Sequence, residues 1–379
     1  MSIRQHNLGS IVKPGFNPLG AQTSVTTYEP YLYAWGRSNF GQLGLGNTTD
    51  YSSSKQVGSL TTWLSIAAGF YHCVLTKTDG TLWTWGYNIA GQLGLGNVAN
   101  RSSPLQVGAL TDWLSASAGF YHTIARKTNG TLWAWGSSNR GQLGLGNITY
   151  YSSPKQVGLL TNWSNTACGG YHTLATKTDG TLWSWGNGTD GKLGLGNITY
   201  YSSPKQVGSL TSWLTVAAGS YHSLAVKTDG TLWAWGYNAS GQLGDGTTIS
   251  KSSPVQIGSL TTWSAISGGT NFTLARKTDG TLWAWGGNAN GRLGLGNITN
   301  YSSPKQVGAL TTWLKIAAGV YGFSLANKTD GTLWSWGINN YGQLGLGNTT
   351  NYSSPKQVGS STTWLNVACG RYHTTALLY

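Results

Sequence analysis

Five histidines share one place in a repeating frame. His72, His122, His172, His222 and His373 each follow a Gly-x-Tyr triplet. Imidazoles can ligate a metal or shuttle a proton near neutral pH. A metal site, however, needs its ligands to converge on one point. Equivalent residues of successive repeats lie in separate places, and Phe272 and Phe323 fill the same slot in two further units. The expectation is a buried imidazole whose ring donates to backbone, with no metal.

The carboxylates read the same way. Asp79, Asp179, Asp229, Asp279 and Asp330, with Asn129 in the remaining unit, stand before Gly in K-T-D-G, which is turn chemistry. No carboxylate pair stands apart from the repeat as a general acid and base would. There is no G-x-S-x-G elbow and no Walker loop. The run G-Q-L-G-L-G-N has no following helix to receive a phosphate, so it is expected to be an inter-blade loop. Asn147, Asn197 and Asn297 begin N-x-T sequons by pattern only. The N-terminus has no apolar signal region, so they are discounted. Cys73, Cys168 and Cys369 are too few for a disulfide framework. Cys168 and Cys369 take a slot that is Ala or Gly elsewhere, as small buried residues would. No catalytic residue and no cofactor are expected.

The elements that carry these residues follow from the tryptophans. Trp-Gly falls at Trp35, Trp85, Trp135, Trp185, Trp235, Trp285 and Trp336, a period of 50 that becomes 51 in the last interval. Two further series, from Trp63 to Trp364 and from Trp83 to Trp334, account for the rest of the 20 Trp, with Tyr33 where the third series lacks one. The extra residue lies near Tyr321-Gly322. Within one unit, a first strand is expected over 213–219, with small Ala217 and Ala218, and a second over 221–227. Thr228-Asp229-Gly230 is a hairpin turn. A third strand runs over 231–236, with Leu232 and Ala234 on one face and Trp233 and Trp235 on the other. A long loop, 237–253, leads to a short outer strand over 254–257, where Pro254 suits an edge.

Four short strands per unit, repeated near 50 residues, imply an all-β fold: a seven-bladed β-propeller of four-stranded blades. The small inner residues fit its crowded axis, and the Trp residues fill the widening space between blades. Tyr31 to Gly36 is a third strand without its partner, and Tyr372 to Tyr379 is a second strand without its partner. The two ends are therefore expected to close one blade, two strands from each, which removes the open edge.

The run G-x-Y-H-T-L-A, D-G-T-L-W-A-W-G, N-x-x-G-Q-L-G, as in 119–144, resembles the RCC1-repeat family, over about residues 31 to 379. The resemblance implies the seven-bladed propeller. It does not imply one activity, because members include a nuclear exchange factor that binds chromatin and a small GTPase, a secreted β-lactamase inhibitor, and bacterial and phage proteins without assigned activity. The near-identical blades show no unique loop for a GTPase, so nucleotide exchange is not carried over.

Composition narrows the partners. Only 9% of residues are charged, yet Lys plus Arg is 23 against 10 for Asp plus Glu, a net charge of +13. The Lys of K-T-D-G is expected to be offset by its Asp. The excess then sits in S-S-P-K-Q loops, at Lys55, Lys155, Lys205, Lys305 and Lys356, one per blade around a rim. That spread disfavours nucleic acid, which wants a concentrated stripe, and allows weak attraction to a polysaccharide, a host surface or an acidic partner. No stretch is long and apolar enough for membrane insertion.

The blades differ where loops emerge on one face. The residue before Tyr-His varies (Phe70, Phe120, Gly170, Ser220, Thr270, Val320, Arg371), and so does the loop after the third strand, with Tyr87, Arg140, Tyr237 and Tyr341. Such Tyr, Phe, Asn and Arg composition suits recognition. Phe70, Tyr87, Phe120, Arg140, Tyr237, Arg371 and Tyr341 are the candidate partner-binding residues. Residues 1–27 stand outside the repeat as an extended arm, preceding a propeller over 28–379. Ile11, Val12, Phe16 and Leu19 can dock it among its Gly and Pro. The expectation is a non-enzymatic structural and recognition protein of a phage virion, held to other virion proteins by this arm. The alternative is a soluble protein-binding module of a bacterium, inhibitor-like or a signalling partner, in the cytoplasm or exported without a signal peptide.

Overall fold

A computed structural model describes residues 29–379. The arm over 1–27, with Ile11, Val12, Phe16 and Leu19, lies outside the described residues. Among those described there are 28 strands and two three-residue 3-10 turns, Thr189–Gly191 and Ala289–Gly291.

The strands form seven four-stranded antiparallel sheets, six of them in chain order from the axis outward. Blades 1 to 7 are named here by the residue that opens the inner strand: Trp63, Trp113, Trp163, Trp213, Trp263, Trp313 and Trp364. Blade 4 runs Trp213–Ala218, His222–Lys227, Leu232–Gly236 and Lys251–Gln256. Inner strands touch the inner strands of neighbouring blades all round the ring. Blade 7 is the composite: Trp364–Cys369 and His373–Leu378 pair with Tyr31–Gly36 and Tyr51–Gln56. Tyr31 lies opposite Leu378 and Gly36 opposite His373.

The outer strand corrects the sequence expectation. It begins at Lys251, not Pro254, and the loop before it is correspondingly shorter. The Y-S-S stretch that opens most outer strands has no apolar alternation to reveal it. Its pairing also slips by a bulge between Ala234 and Gly236, which hides the period.

The core lies between blades rather than within them, in seven apolar clusters, one per junction. Between blades 3 and 4, Leu174, Leu182 and Val207 meet Trp213, Ala225 and Trp235. The Trp235 indole is fully buried and donates from Nε1 to the Lys192 carbonyl of the preceding blade at 3.0 Å. All seven equivalents do the same, from Trp35 to Gln343 O through Trp336 to Arg292 O. This explains the glycine loop. A Cβ on Gly94, whose φ is +74°, would lie 2.7 Å from Trp135 Nε1, so only Gly lets the indole seat.

On the hairpin side, K-T-D-G-T-L-W acts as one unit. Asp229 Oδ1 accepts from the Thr231 amide and hydroxyl, and the same hydroxyl accepts from Trp233 Nε1. Lys227 Nζ sits 3.8 Å from the Trp233 ring centre and 5.0 Å from that of Trp213. The turn lysines are therefore clamped between indoles, not paired with their own aspartates as expected. The ion pairs among the described residues are Lys127–Asp112, Lys192–Asp190 and Lys251–Asp245.

Candidate binding face

The histidine slot lies just below the loop face. His72, His122, His222 and His373 are fully buried, and burial brings their pKa down to about 3. His172 is lowered well below 6.5, by burial first and by Lys192 next. Each Nε2 reaches the next blade: His72 to Thr123, His122 to Thr173, His172 to Ser223 and His222 to Thr273, at 2.9–3.2 Å. Those hydroxyls donate onward to backbone carbonyls, as Thr123 does to Gln92 O. Nε2 must therefore carry the proton. The ring's partner is thus a neighbouring hydroxyl, not the backbone that was expected. Cys73 takes the hydroxyl's place opposite His373, 3.3 Å from Nε2. No three His, Cys, Asp or Glu side chains converge on a metal-sized point among the described residues.

Above this layer the two variable segments of each blade lie side by side. The amide of the first loop residue donates to the carbonyl of the Tyr slot, as Tyr87 N does to Tyr71 O and Arg37 N to Tyr372 O. Phe70, Phe120, Gly170, Ser220, Thr270, Val320 and Arg371 ring the mouth of the axis. Backbone bonds link most neighbours: Phe70 N to Gly119 O, Gly170 N to Ser220 O, and Arg371 N to Phe70 O.

Side chains break the sevenfold symmetry. An aromatic crescent runs over blades 6, 7, 1 and 2 and reaches Tyr171 of blade 3, its two groups of touching rings joined by the Arg371 guanidinium. Tyr341 packs on Tyr372 at 4.8 Å, and Tyr372 on Tyr321 at 4.7 Å. Phe70 meets Phe120 at 4.3 Å, and Phe120 meets Tyr171 at 5.3 Å. Phe40 bridges Tyr71 and Tyr87 at 5.1 and 4.4 Å. Two cations are set into it. The Arg371 guanidinium lies 4.4–5.3 Å from the rings of Phe70, Tyr71, Tyr321 and Tyr372. That of Arg37 lies 4.5 Å from Tyr341. Burial pushes the Tyr372 phenol up to about 12 despite Arg371 beside it.

Across the axis the mouth is low and polar. Gly170, Ser220 and Thr270 replace the phenylalanines, and Ser220 Oγ lies 3.0 Å from Thr270 Oγ1. Here Lys192 and Arg292 replace the loop glutamine. Burial lowers Lys192 to about 8, with Asp190 opposing that shift. Arg292 explains the extra residue of blade 6. Gly322, not Tyr321, takes the Tyr slot, because its carbonyl receives the Ile338 amide. A Cβ on Gly322 would lie 2.6 Å from Arg292 Cζ. The guanidinium occupies the space a tyrosine would fill, and Tyr321 is displaced outward, 45% exposed.

Of the sequence candidates, Phe70, Tyr87, Phe120, Tyr341 and Arg371 come together in the crescent. Arg140 stands apart over Tyr200 at 5.4 Å, and Tyr237 packs only on Tyr221. Arg37, Phe40, Tyr71, Tyr121, Tyr171, Tyr321 and Tyr372 were missed. The tyrosines recur in the repeat and so pass as structural, although each sits beside the variable position. The rim lysines Lys55, Lys155, Lys205, Lys305 and Lys356 are exposed on outer strands, each about 5.5 Å from a Tyr ring of its own strand.

A family model described as an RCC1-like domain matches residues 32–376. Human protein RCC2 is 46% identical over 56 residues, 14% of this chain and 11% of that protein. The match thus spans about a tenth of the relative's length. Among solved structures, Prp20p of Saccharomyces cerevisiae, a protein with binding properties toward Gsp1p and histones, superposes with a TM-score of 0.82 at 22% identity, covering 93% of this chain and 92% of the other. Human WBSCR16 superposes at 0.83 and 24% identity, covering 93% and 99%. At such identities the likeness is one of fold. No helix among the described residues is long and apolar enough to cross a membrane.

Proposed function

The chain belongs to the RCC1-like domain family, and on that premise we propose that it is a non-enzymatic protein-binding module whose partner docks on the aromatic crescent. One observation carries this proposal: among the described residues, sevenfold repetition gives way on one face to an aromatic surface joined through the Arg371 cation. Phe70, Tyr87, Phe120, Tyr341 and Arg371 are its core. Tyr and Arg are enriched at the anchor positions of protein interfaces, and rings held in tilted and edge-to-face packing are pre-organised for contact. The histidines support the non-enzymatic part, because each is uncharged and engaged with a neighbouring blade.

Photo-crosslinkers at Tyr87 and Tyr341, with one at Leu110 on the hairpin face as control, test this in extract of the native source. Capture of one same protein from both crescent positions, absent from Leu110 and lost with Phe70→Ala, is expected. Equal capture from Leu110 would sink it.

The finer proposal is attachment to a phage virion through residues 1–27, with Ile11, Val12, Phe16 and Leu19 in contact. Its support is compositional: an arm with spaced apolar residues, joined to low-charge tandem units. Truncating residues 1–27 should abolish incorporation into particles while melting stays unchanged. Normal incorporation leaves the crescent as the only attachment.

A further inference from the structure

Arg371 is a cation with no counter-ion among the described residues. All ten acidic residues are engaged elsewhere. Five aspartates are held by threonines in the K-T-D-G turns of the opposite face. Asp112, Asp190 and Asp245 pair with lysines. Asp50 accepts from the Ser38 amide, and Glu29 from the Thr61 hydroxyl. Residues 1–28 contain no Asp or Glu.

The guanidinium is nonetheless fixed. Four aromatic rings surround it, and Nη1 donates to the Tyr71 hydroxyl. Its Nε lies beneath the surface without a hydrogen-bond partner. Nε is therefore closed to an incoming group, and the donors left without a partner among the described residues are those of the outer edge formed by Nη1 and Nη2. That edge presents two parallel N–H groups, the spacing that matches the two oxygens of a carboxylate. Aromatic faces offset part of the cost of holding a half-buried cation, but they leave its in-plane donors unsatisfied. The neighbouring cation on the crescent, Arg37, adds to the positive field over the mouth.

We propose that Arg371 is a pre-organised carboxylate fork at the mouth of the axis, which takes an acidic group of the protein partner docked on the crescent. The proposal rests on that docking face and names the chemistry it selects. The partner presents an Asp or Glu side chain, or a chain-terminal carboxylate, between the aromatic wall and the low polar side formed by Ser220 and Thr270. A lysine in place of Arg371 would keep the charge and lose the paired donors.

The test uses the full chain labelled with 15N-arginine. The Nε–H resonance of Arg371, identified by its loss in Arg371→Lys, is followed during titration with sodium acetate and, separately, inorganic phosphate at constant ionic strength. A saturable shift with a midpoint on the order of millimolar is expected for acetate, with Arg101 on an outer strand unmoved. In a uniformly 15N-labelled sample, the acetate-induced shifts of the Phe70 and Tyr71 amides should need at least about tenfold more acetate in Arg371→Lys and vanish in Arg371→Gln. If Arg371→Gln does not fold, the Lys variant alone decides. A linear shift shared with Arg101 would overturn the site. Phosphate binding more than about tenfold tighter than acetate would overturn the carboxylate assignment. Crosslinking from Tyr87 separates the two levels: if it persists while acetate fails, only the fork is wrong, and if it fails, the docking face itself is wrong.

Discussion

The two faces of the disc are built from the same repeat and differ in what they tolerate. On the hairpin face, six K-T-D/N-G turns are near copies: the carboxylate or amide holds the Thr, the Thr holds the Trp, and the Lys lies between two indoles. The Asp or Asn, Thr, Trp and Lys side chains of these turns are each committed to a neighbour, so a change in one breaks several contacts. On the loop face, backbone bonds such as the amide-to-carbonyl link between the paired loops, together with buried recurring side chains such as Asn88 and Gln92, carry the structure. The side chains that vary there, such as Phe70 and Arg371, are not part of that framework and can differ from blade to blade. The contrast locates the specific part of the molecule where the varying side chains are not the ones that keep the shape.

The histidine layer beneath the loop face gives the largest effect. The buried histidines are neutral when folded and titrate near 6.5 when unfolded, so the unfolded chain takes up protons first as pH falls. Stability is fully present above about pH 6.5 and falls from there toward about pH 3, by up to about 1.4 kcal/mol per pH unit for each histidine. Melting temperature should drop steeply between pH 6.5 and 4. The combined variant His122→Phe, His172→Phe and His222→Phe should flatten that slope, as Phe272 and Phe323 already show the slot accepts a phenyl ring. An unchanged slope would contradict the neutral, buried assignment.

Next comes the packing between blades. Trp235→Ala removes a fully buried indole and its bond to Lys192 O, and should cost about 3–5 kcal/mol by denaturant titration. On the hairpin face, Gly230→Ala puts a Cβ 2.1 Å from the Thr261 carbonyl oxygen at φ +77°, at a cost of about 2 kcal/mol or more. The smallest stability change belongs to the loop face. Phe70→Ala, at a half-buried position, should cost about 1 kcal/mol or less while abolishing capture of the crescent's partner. If Phe70→Ala destabilises as much as Gly230→Ala, the two faces do not divide folding from recognition.

Much of the fold was legible because it is a matter of period. Trp spacing counts the blades, D-G marks the hairpins, and the half units at 31–36 and 372–379 announce the composite blade. The outer strand's start at Lys251 was not legible, because polar edge strands carry no alternation. The turn lysines misled because Asp two residues on is an obvious partner in sequence, while the second indole of the clamp comes from the inner strand. The crescent was half legible. Variation marked Phe70, Tyr87, Phe120, Tyr341 and Arg371, but ring geometry puts Arg140 and Tyr237 elsewhere. Tyr71, Tyr121 and Tyr372 were hidden because they recur. Arg292 and Gly322 belong to different blades, and nothing in their spacing shows that one fills the space the other vacates.

The composite blade also has a consequence in time. During synthesis, Tyr31–Gly36 and Tyr51–Gln56 leave the ribosome first, and Tyr31–Gly36 gains its second neighbour only when His373–Leu378 emerges last. Blades 1 to 6 can each complete themselves along the way, as units of a linear array. The nascent chain therefore carries an open sheet edge throughout translation, with Trp35 waiting for the Gln343 carbonyl of blade 6. That edge is the natural address for a chaperone, and the natural seed for pairing two unfinished chains with each other. A circular permutant opened between Gln156 and Trp163 would begin and end on whole blades, and its folding would no longer wait for the last strand.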